Sequence, residues 1–143
     1  MPRSFFDTSA LVKRYPVEAG TDTVDRIIDE VGAELLIARL TLVETISVFA
    51  TKVRTGELRA VEFARLRSLF ATHVARRRYQ VFQPLNLHYD RARDLIANHG
   101  HRRQIRTLDA LQLSVALHLH QVNPIDRFVC ADRRATSPFF LFP

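Results

Sequence analysis

The apolar positions of this chain alternate between short runs and helical spacings, with a polar or acidic residue at nearly every switch. Ser4-Phe5-Phe6 is short enough only for a brief strand, and Asp7 ends it. Thr8 or Ser9 is placed to cap a helix from about Ala10, which Pro16 stops. Between Gly20 and Gly32, Val24, Ile27, Ile28 and Val31 take the i, i+3, i+4, i+7 spacing of one helix face. Leu35–Ala38 reads as a buried strand. Thr41 opens a longer helix whose core stripe is expected at Val43, Ile46, Phe49, Ala50 and Val53, ending at Thr55-Gly56. A further helix, Ala60–Arg76, carries Phe63, Leu66, Phe70 and Val74 on one face. Tyr79–Phe82 is the next strand, and His88–Asn98 the next helix. After the basic loop His99–Arg106, Thr107 is placed to cap a strongly apolar helix, Leu108–His120. Arg127–Ala131 is a fourth strand, running into Asp132, and Phe139–Phe142 is an edge strand or an apolar strap.

Strands that alternate with helices or helix pairs imply an α/β domain. The sheet is mainly parallel, of four to five strands, with right-handed crossovers that place helices on both faces. No linker, repeat or low-complexity stretch interrupts residues 1–143, so a single domain is expected.

Composition narrows the setting. The chain is 47% hydrophobic and 25% charged, ordinary for a globular protein, and no apolar run reaches a membrane span. Asp7 breaks up any secretory leader almost at once, and Cys130 is the sole cysteine. An intracellular, reducing, cytoplasmic location is the expectation, with no membrane partner. Twenty-one Lys and Arg face 15 Asp and Glu, a net charge of +6, and all the bases except Lys13 and Lys52 are arginine. Arginine suits bidentate contact with phosphate, and a basic domain suggests nucleic acid as partner. Compositional bias alone would give the same balance.

Against that basic background, four acids fall at equivalent junctions. Asp7 follows the first strand, Glu44 lies in the first turn after the second, Asp109 in the first turn after Thr107, and Asp132 directly after the fourth strand. Each has an ordinary explanation: Asp7 as an N-cap, Glu44 as the acid of a Thr41-Leu-Val-Glu44 capping box, Asp109 as a complement to the helix dipole, Asp132 as a turn residue. Together they mean more, because a parallel sheet gathers all its strand carboxyl ends on one edge, where ligands bind. Clustered carboxylates repel and raise one another's pKa unless a cation is present. Mg²⁺ or Mn²⁺ prefers such oxygen ligands and can activate water toward a phosphodiester.

The segments Phe5-Phe-Asp-Thr-Ser-Ala-Leu-Val-Lys-Arg-Tyr15, Thr41-Leu-Val-Glu44, Arg106-Thr-Leu-Asp-Ala-Leu-Gln-Leu-Ser-Val-Ala116 and Phe128-Val-Cys-Ala-Asp132 resemble the four motifs of the PIN domain. They are most like those of VapC-type toxins of toxin–antitoxin pairs. The resemblance spans almost the whole chain, and its first and third motifs are the most specific. It implies a PIN-like fold and a Mg²⁺- or Mn²⁺-dependent endoribonuclease that cleaves RNA with metal-activated water. It also implies a homodimer and a cognate antitoxin. Carried over residue by residue, Asp7 and Asp109 would be the principal metal ligands, and Glu44 would complete the site directly or through water. Asp132 would serve an outer shell or a second metal, and Thr8 or Ser9 would be a secondary polar contact. Cys130 departs from the threonine or serine that the family often has at that position. Arg102, Arg103 and Arg106 are candidates to hold RNA phosphates beside the pocket.

Two other function classes fit parts of the pattern. One is a non-catalytic PIN-like module that binds RNA or protein. The other is an aspartyl-nucleophile phosphatase, against which Asp7-Thr8-Ser9 speaks because it lacks the usual second acid two residues later. His118 and His120, two apart on a helix, do not share a face and make poor co-ligands.

Overall fold

The computed structural model describes residues 2–131 and the backbone of residues 139–141. Five strands form one sheet in the order β3-β2-β1-β4-β5. These are β1 (Arg3–Phe6), β2 (Glu34–Ala38), β3 (Gln80–Phe82), β4 (Arg127–Val129) and β5 (Phe139–Leu141). β1 pairs in parallel with β2 and β4, and β2 with β3, whereas β5 runs antiparallel on the β4 edge. The mainly parallel sheet of four to five strands is thus present, with the apolar tail as the edge strand.

The strand period of two divides the core. Phe6, Leu35, Ile37 and Val129 point to one face, where α1 (Thr8–Leu11), α2 (Thr21–Ile28), α3 (Leu40–Arg54) and α4 (Ala60–Ala75) cover them with Leu11, Val24, Ile28, Phe49, Leu66 and Phe70. Phe5, Leu36 and Ala38 point to the other face, against Val115 and Ala116 of α6 (Thr107–Val122). α5 (Asn86–His99) lies on α6, packing Ala92 against Ala110 and Leu111. Each fully buried Phe, Leu or Ile in these layers stabilises the fold by about 1.5–3 kcal/mol.

Several boundaries differ from expectation, each for a local reason. Asp7, not Thr8 or Ser9, caps α1, because its Oδ1 accepts the Ala10 N–H. α2 ends at Ile28, so Val31 is 95% exposed and takes no part in the stripe. The turn that follows needs Gly32 at φ +74°, a conformation that favours glycine. α3 begins at Leu40, one residue before Thr41, and its buried stripe is rotated. Leu42, Ile46, Phe49 and Val53 pack inward while Val43 is 73% exposed and Ala50 is also outside. Thr41 and Thr45 are fully buried on this rotated face, and Thr41 meets Thr8 of α1 and Gln112 of α6. Thr107 is the first residue of α6 rather than its cap, a place taken by Arg106.

Candidate active site

Parallel pairing sets the carboxyl ends of β1 and β2 side by side. Asp7 extends β1 by one more bond to β4, from its N–H to the Val129 carbonyl at 3.0 Å, and then turns into α1. Its Oδ1 accepts from Ser9 Oγ at 2.6 Å and from Ala10 N at 3.2 Å, and no bond to Oδ2 is formed among the described residues. The Asp7 residue is buried. Burial pushes its carboxyl up to about 7. The Ser9 hydroxyl and Ala10 N–H oppose that rise, and the charges of Asp109 and Glu44 add to it. Three of the four predicted acids therefore share one electrostatic neighbourhood. The fourth, Asp132, lies outside the described residues. The described chain reaches Ala131, whose N–H donates to Ser9 Oγ at 2.9 Å.

Glu44 is not the acid of a capping box. Thr41 sits inside α3 and buries its hydroxyl, so the Thr41-to-Glu44 reciprocal cap has no free N-terminus to close. Instead Glu44 Oε1 accepts from Thr8 Oγ1 at 2.9 Å and from Gln112 Nε2 at 3.0 Å. Gln112 Nε2 also reaches Thr41 Oγ1 at 2.7 Å and Thr8 Oγ1 at 3.2 Å. Both acids are thus tethered through one oxygen while the other carries no hydrogen bond among the described residues. Thr8 and Ser9, expected as polar contacts, spend their hydroxyls on Glu44 and Asp7. Asp109 is exposed in the first turn of α6, one turn ahead of Gln112 on the same helix.

Pattern reading missed Gln112 and Thr41. A glutamine in the middle of the apolar stripe of α6 was the available signal, since a buried amide there requires partners. Arg102 and Arg103 are exposed in the loop before α6, and Arg106 stands exposed at its start. Arg39, exposed at the end of β2 with its N–H on the Phe82 carbonyl, adds a further cation at the same edge.

The donor set suits a hard cation. It consists of oxygens, and a positive charge would relieve both the burial of Asp7 and its repulsion from Asp109 and Glu44. Among the described residues no three Asp, Glu, His or Cys side chains form a complete ligand group. His118 and His120 are engaged elsewhere: His118 bonds to His88 at 2.8 Å, and His120 Nδ1 accepts the Ile125 N–H at 2.9 Å.

Comparison with known proteins agrees with this architecture. The sequence model of the PIN domain matches residues 4–123, from β1 to the end of α6. The chain belongs to the PIN domain family. Among solved structures this PIN domain is similar to the crystal structure of VapC20 from Mycobacterium tuberculosis, described as a sarcin-ricin loop cleaving toxin. The two share 17% identity with a TM-score of 0.65, over 87% of this chain and 86% of that one. At that identity the likeness is one of fold. No curated protein matches the sequence. Among the described residues, no helix is long and apolar enough to cross a membrane.

Proposed function

We propose that this PIN domain is a Mg²⁺- or Mn²⁺-dependent endoribonuclease, the toxin of a VapBC-type toxin–antitoxin pair. The observation that carries the reading is the buried Asp7, its carboxyl raised to about 7 with the charges of Asp109 and Glu44 adding to the rise. A fold that only needed a helix cap would not place two further acids beside one buried carboxylate, since a serine or threonine caps as well. Membership of the PIN family, the fold shared with a toxin that cleaves the sarcin-ricin loop, and the net charge of +6 support the same reading.

Asp7 and Asp109 would hold the cation, with Glu44 completing the site directly or through water. Asp132 is assigned to an outer shell or a second cation. When bound, the ion supplies a lowered pKa for attacking water and neutralises charge on the scissile phosphate. The chain's own residues do the rest. Ser9 and the Ala10 N–H aim Asp7 through Oδ1, and Thr8 and Gln112 aim Glu44 through Oε1. This leaves Glu44 Oε2 to orient the attacking water and take its proton. Arg102, Arg103 and Arg106 hold RNA phosphates, while Thr8 and Ser9 serve the site by holding Glu44 and Asp7. A cytoplasmic homodimer, inhibited by a cognate antitoxin, completes the reading.

The test is incubation of purified protein with cellular RNA and Mg²⁺ or Mn²⁺, beside Asp7→Asn and a chelator control. Discrete fragments should appear, and either control should reduce them at least about a thousandfold. RNA binding without cleavage in any metal would favour a binding module, and a trapped phospho-aspartate on Asp7 a phosphatase.

A further inference from the structure

Gln112 is 2% exposed on the apolar side of α6, where a leucine would bury without needing a hydrogen-bond partner. Its Nε2 lies within hydrogen-bonding distance of three oxygens: Thr41 Oγ1 at 2.7 Å, Glu44 Oε1 at 3.0 Å and Thr8 Oγ1 at 3.2 Å. Its Oε1 is buried with no hydrogen-bond partner among the described residues. The amide orientation is set by chemistry. Turning the amide over would set its oxygen against Glu44 Oε1, which already accepts from Thr8, at 3.0 Å. The Thr8 hydroxyl hydrogen goes to the same Glu44 oxygen, at 2.9 Å. Oε1 therefore goes without a partner so that Nε2 can donate.

The placement of those partners shows what the amide holds together. Thr8 belongs to α1, directly after Asp7, and Thr41 and Glu44 belong to α3. Gln112 itself is three residues beyond Asp109 on α6. One side chain thus joins the three helices that carry three of the candidate acids. We propose that Gln112 is a positioning residue: it fixes the Glu44 carboxylate through Oε1, leaves Oε2 without a hydrogen bond among the described residues, and sets the spacing among Asp7, Glu44 and Asp109. The inference rests on the metal-dependent reading above for its effect on function, but the hydrogen bond itself is independent of it.

Two measurements separate the layers. In metal-free protein, the Gln112 side-chain NH₂ should give resolved NMR signals protected from solvent exchange, and Glu44→Ala should lower that protection while the Thr41 bond keeps part of it. An amide that exchanges like free glutamine, or is as protected in Glu44→Ala as in wild type, overturns the proposal whatever the protein's activity. The second measurement is Mn²⁺ affinity, by titration of the whole chain, for Gln112→Leu, Glu44→Gln and the double variant, each first shown to be folded by its thermal transition. Gln112→Leu should weaken Mn²⁺ about tenfold and add nothing once Glu44 is glutamine, because it acts through that carboxylate. Thr41→Val, which cuts the 2.7 Å arm, should give a smaller loss with the same dependence on Glu44 and serves if Gln112→Leu does not fold. Wild-type affinity in folded Gln112→Leu, or the same loss with and without Glu44, overturns the positioning role. If wild-type protein binds no Mn²⁺ through Asp7, the metal reading falls, and the NMR measurement alone decides whether Gln112 holds Glu44.

Discussion

The two edges of the sheet use the same residue types in opposite ways. At the edge where strands begin, charges are paired. Arg3 meets Glu34, Arg127 meets Glu30, Arg14 bridges Asp25 and Asp29, and Arg78 stands 3.6 Å from Asp29. At the edge where strands end, Asp7, Glu44 and Asp109 have no ion pair among the described residues, and neither do Arg39, Arg102, Arg103 and Arg106. Neutralised charges hold the scaffold and present little field. Separated charges cost the fold stability and leave both signs available, the acids for a cation and the arginines for phosphate. The difference is the one that the proposed function needs between a scaffold edge and a binding edge.

The contrast between the edges is most easily undone at Asp7. Its folded pKa of about 7 stands above the ordinary 3.8, so the folded state holds its proton where the unfolded chain has lost it. Stability of the metal-free protein therefore falls as pH rises from about 4 through 7, by up to about 4 kcal/mol at pH 8. Asp7→Asn should recover much of that at pH 8 and little at pH 4, measured by denaturant or thermal unfolding without metal. A stabilisation equal at both pH values would show that ionisation of Asp7 is not the cost. The variant would then combine lost cleavage with a more stable fold, as expected where a site is built at the expense of stability.

The arginines test the other half of the contrast. Arg102→Ala, Arg103→Ala and Arg106→Ala should each weaken RNA binding and reduce the slope of log affinity against log salt by about 0.7 for every phosphate that is no longer neutralised. Arg127→Ala at the paired edge should leave the slope alone and cost about 1 kcal/mol of stability or less, as partly exposed ion pairs do. Salt titrations of RNA binding check both halves, and an equal slope change at the two edges would erase the distinction.

The smallest effect lies away from either edge. His88 is buried, accepts the Leu85 N–H at Nδ1, and meets His118 across α5 and α6. Burial holds its pKa below the usual 6.5, with His118 and Arg91 adding to the effect. A histidine held neutral in the fold takes up its proton sooner when unfolded, so stability is full above about 6.5 and declines as pH falls through the lowered value. His88→Gln should flatten that acid decline between pH 7 and 5 without changing RNA binding at pH 8. Thermal unfolding across that range checks it.

Local sequence was enough to give the order of elements, the parallel sheet, and the junctions at which acids stand. Each rests on neighbouring residues: a run of Phe5-Phe6 or Leu35–Ile37 long enough only for a strand, a helical period, an acid at the switch. The PIN likeness was legible for the same reason, since its motifs are those junctions. Local pattern misjudged Val43, Val31 and the Thr41-to-Glu44 cap, because which face of a helix turns inward depends on what packs against it. Packing in three dimensions was needed to turn Thr41 in to meet Gln112, to hold Glu44 from α1 and α6 rather than from its own helix, and to bury Asp7 enough that it keeps its proton near pH 7. Partners 33 to 104 residues apart in the chain make those contacts, and no pattern within one element encodes them.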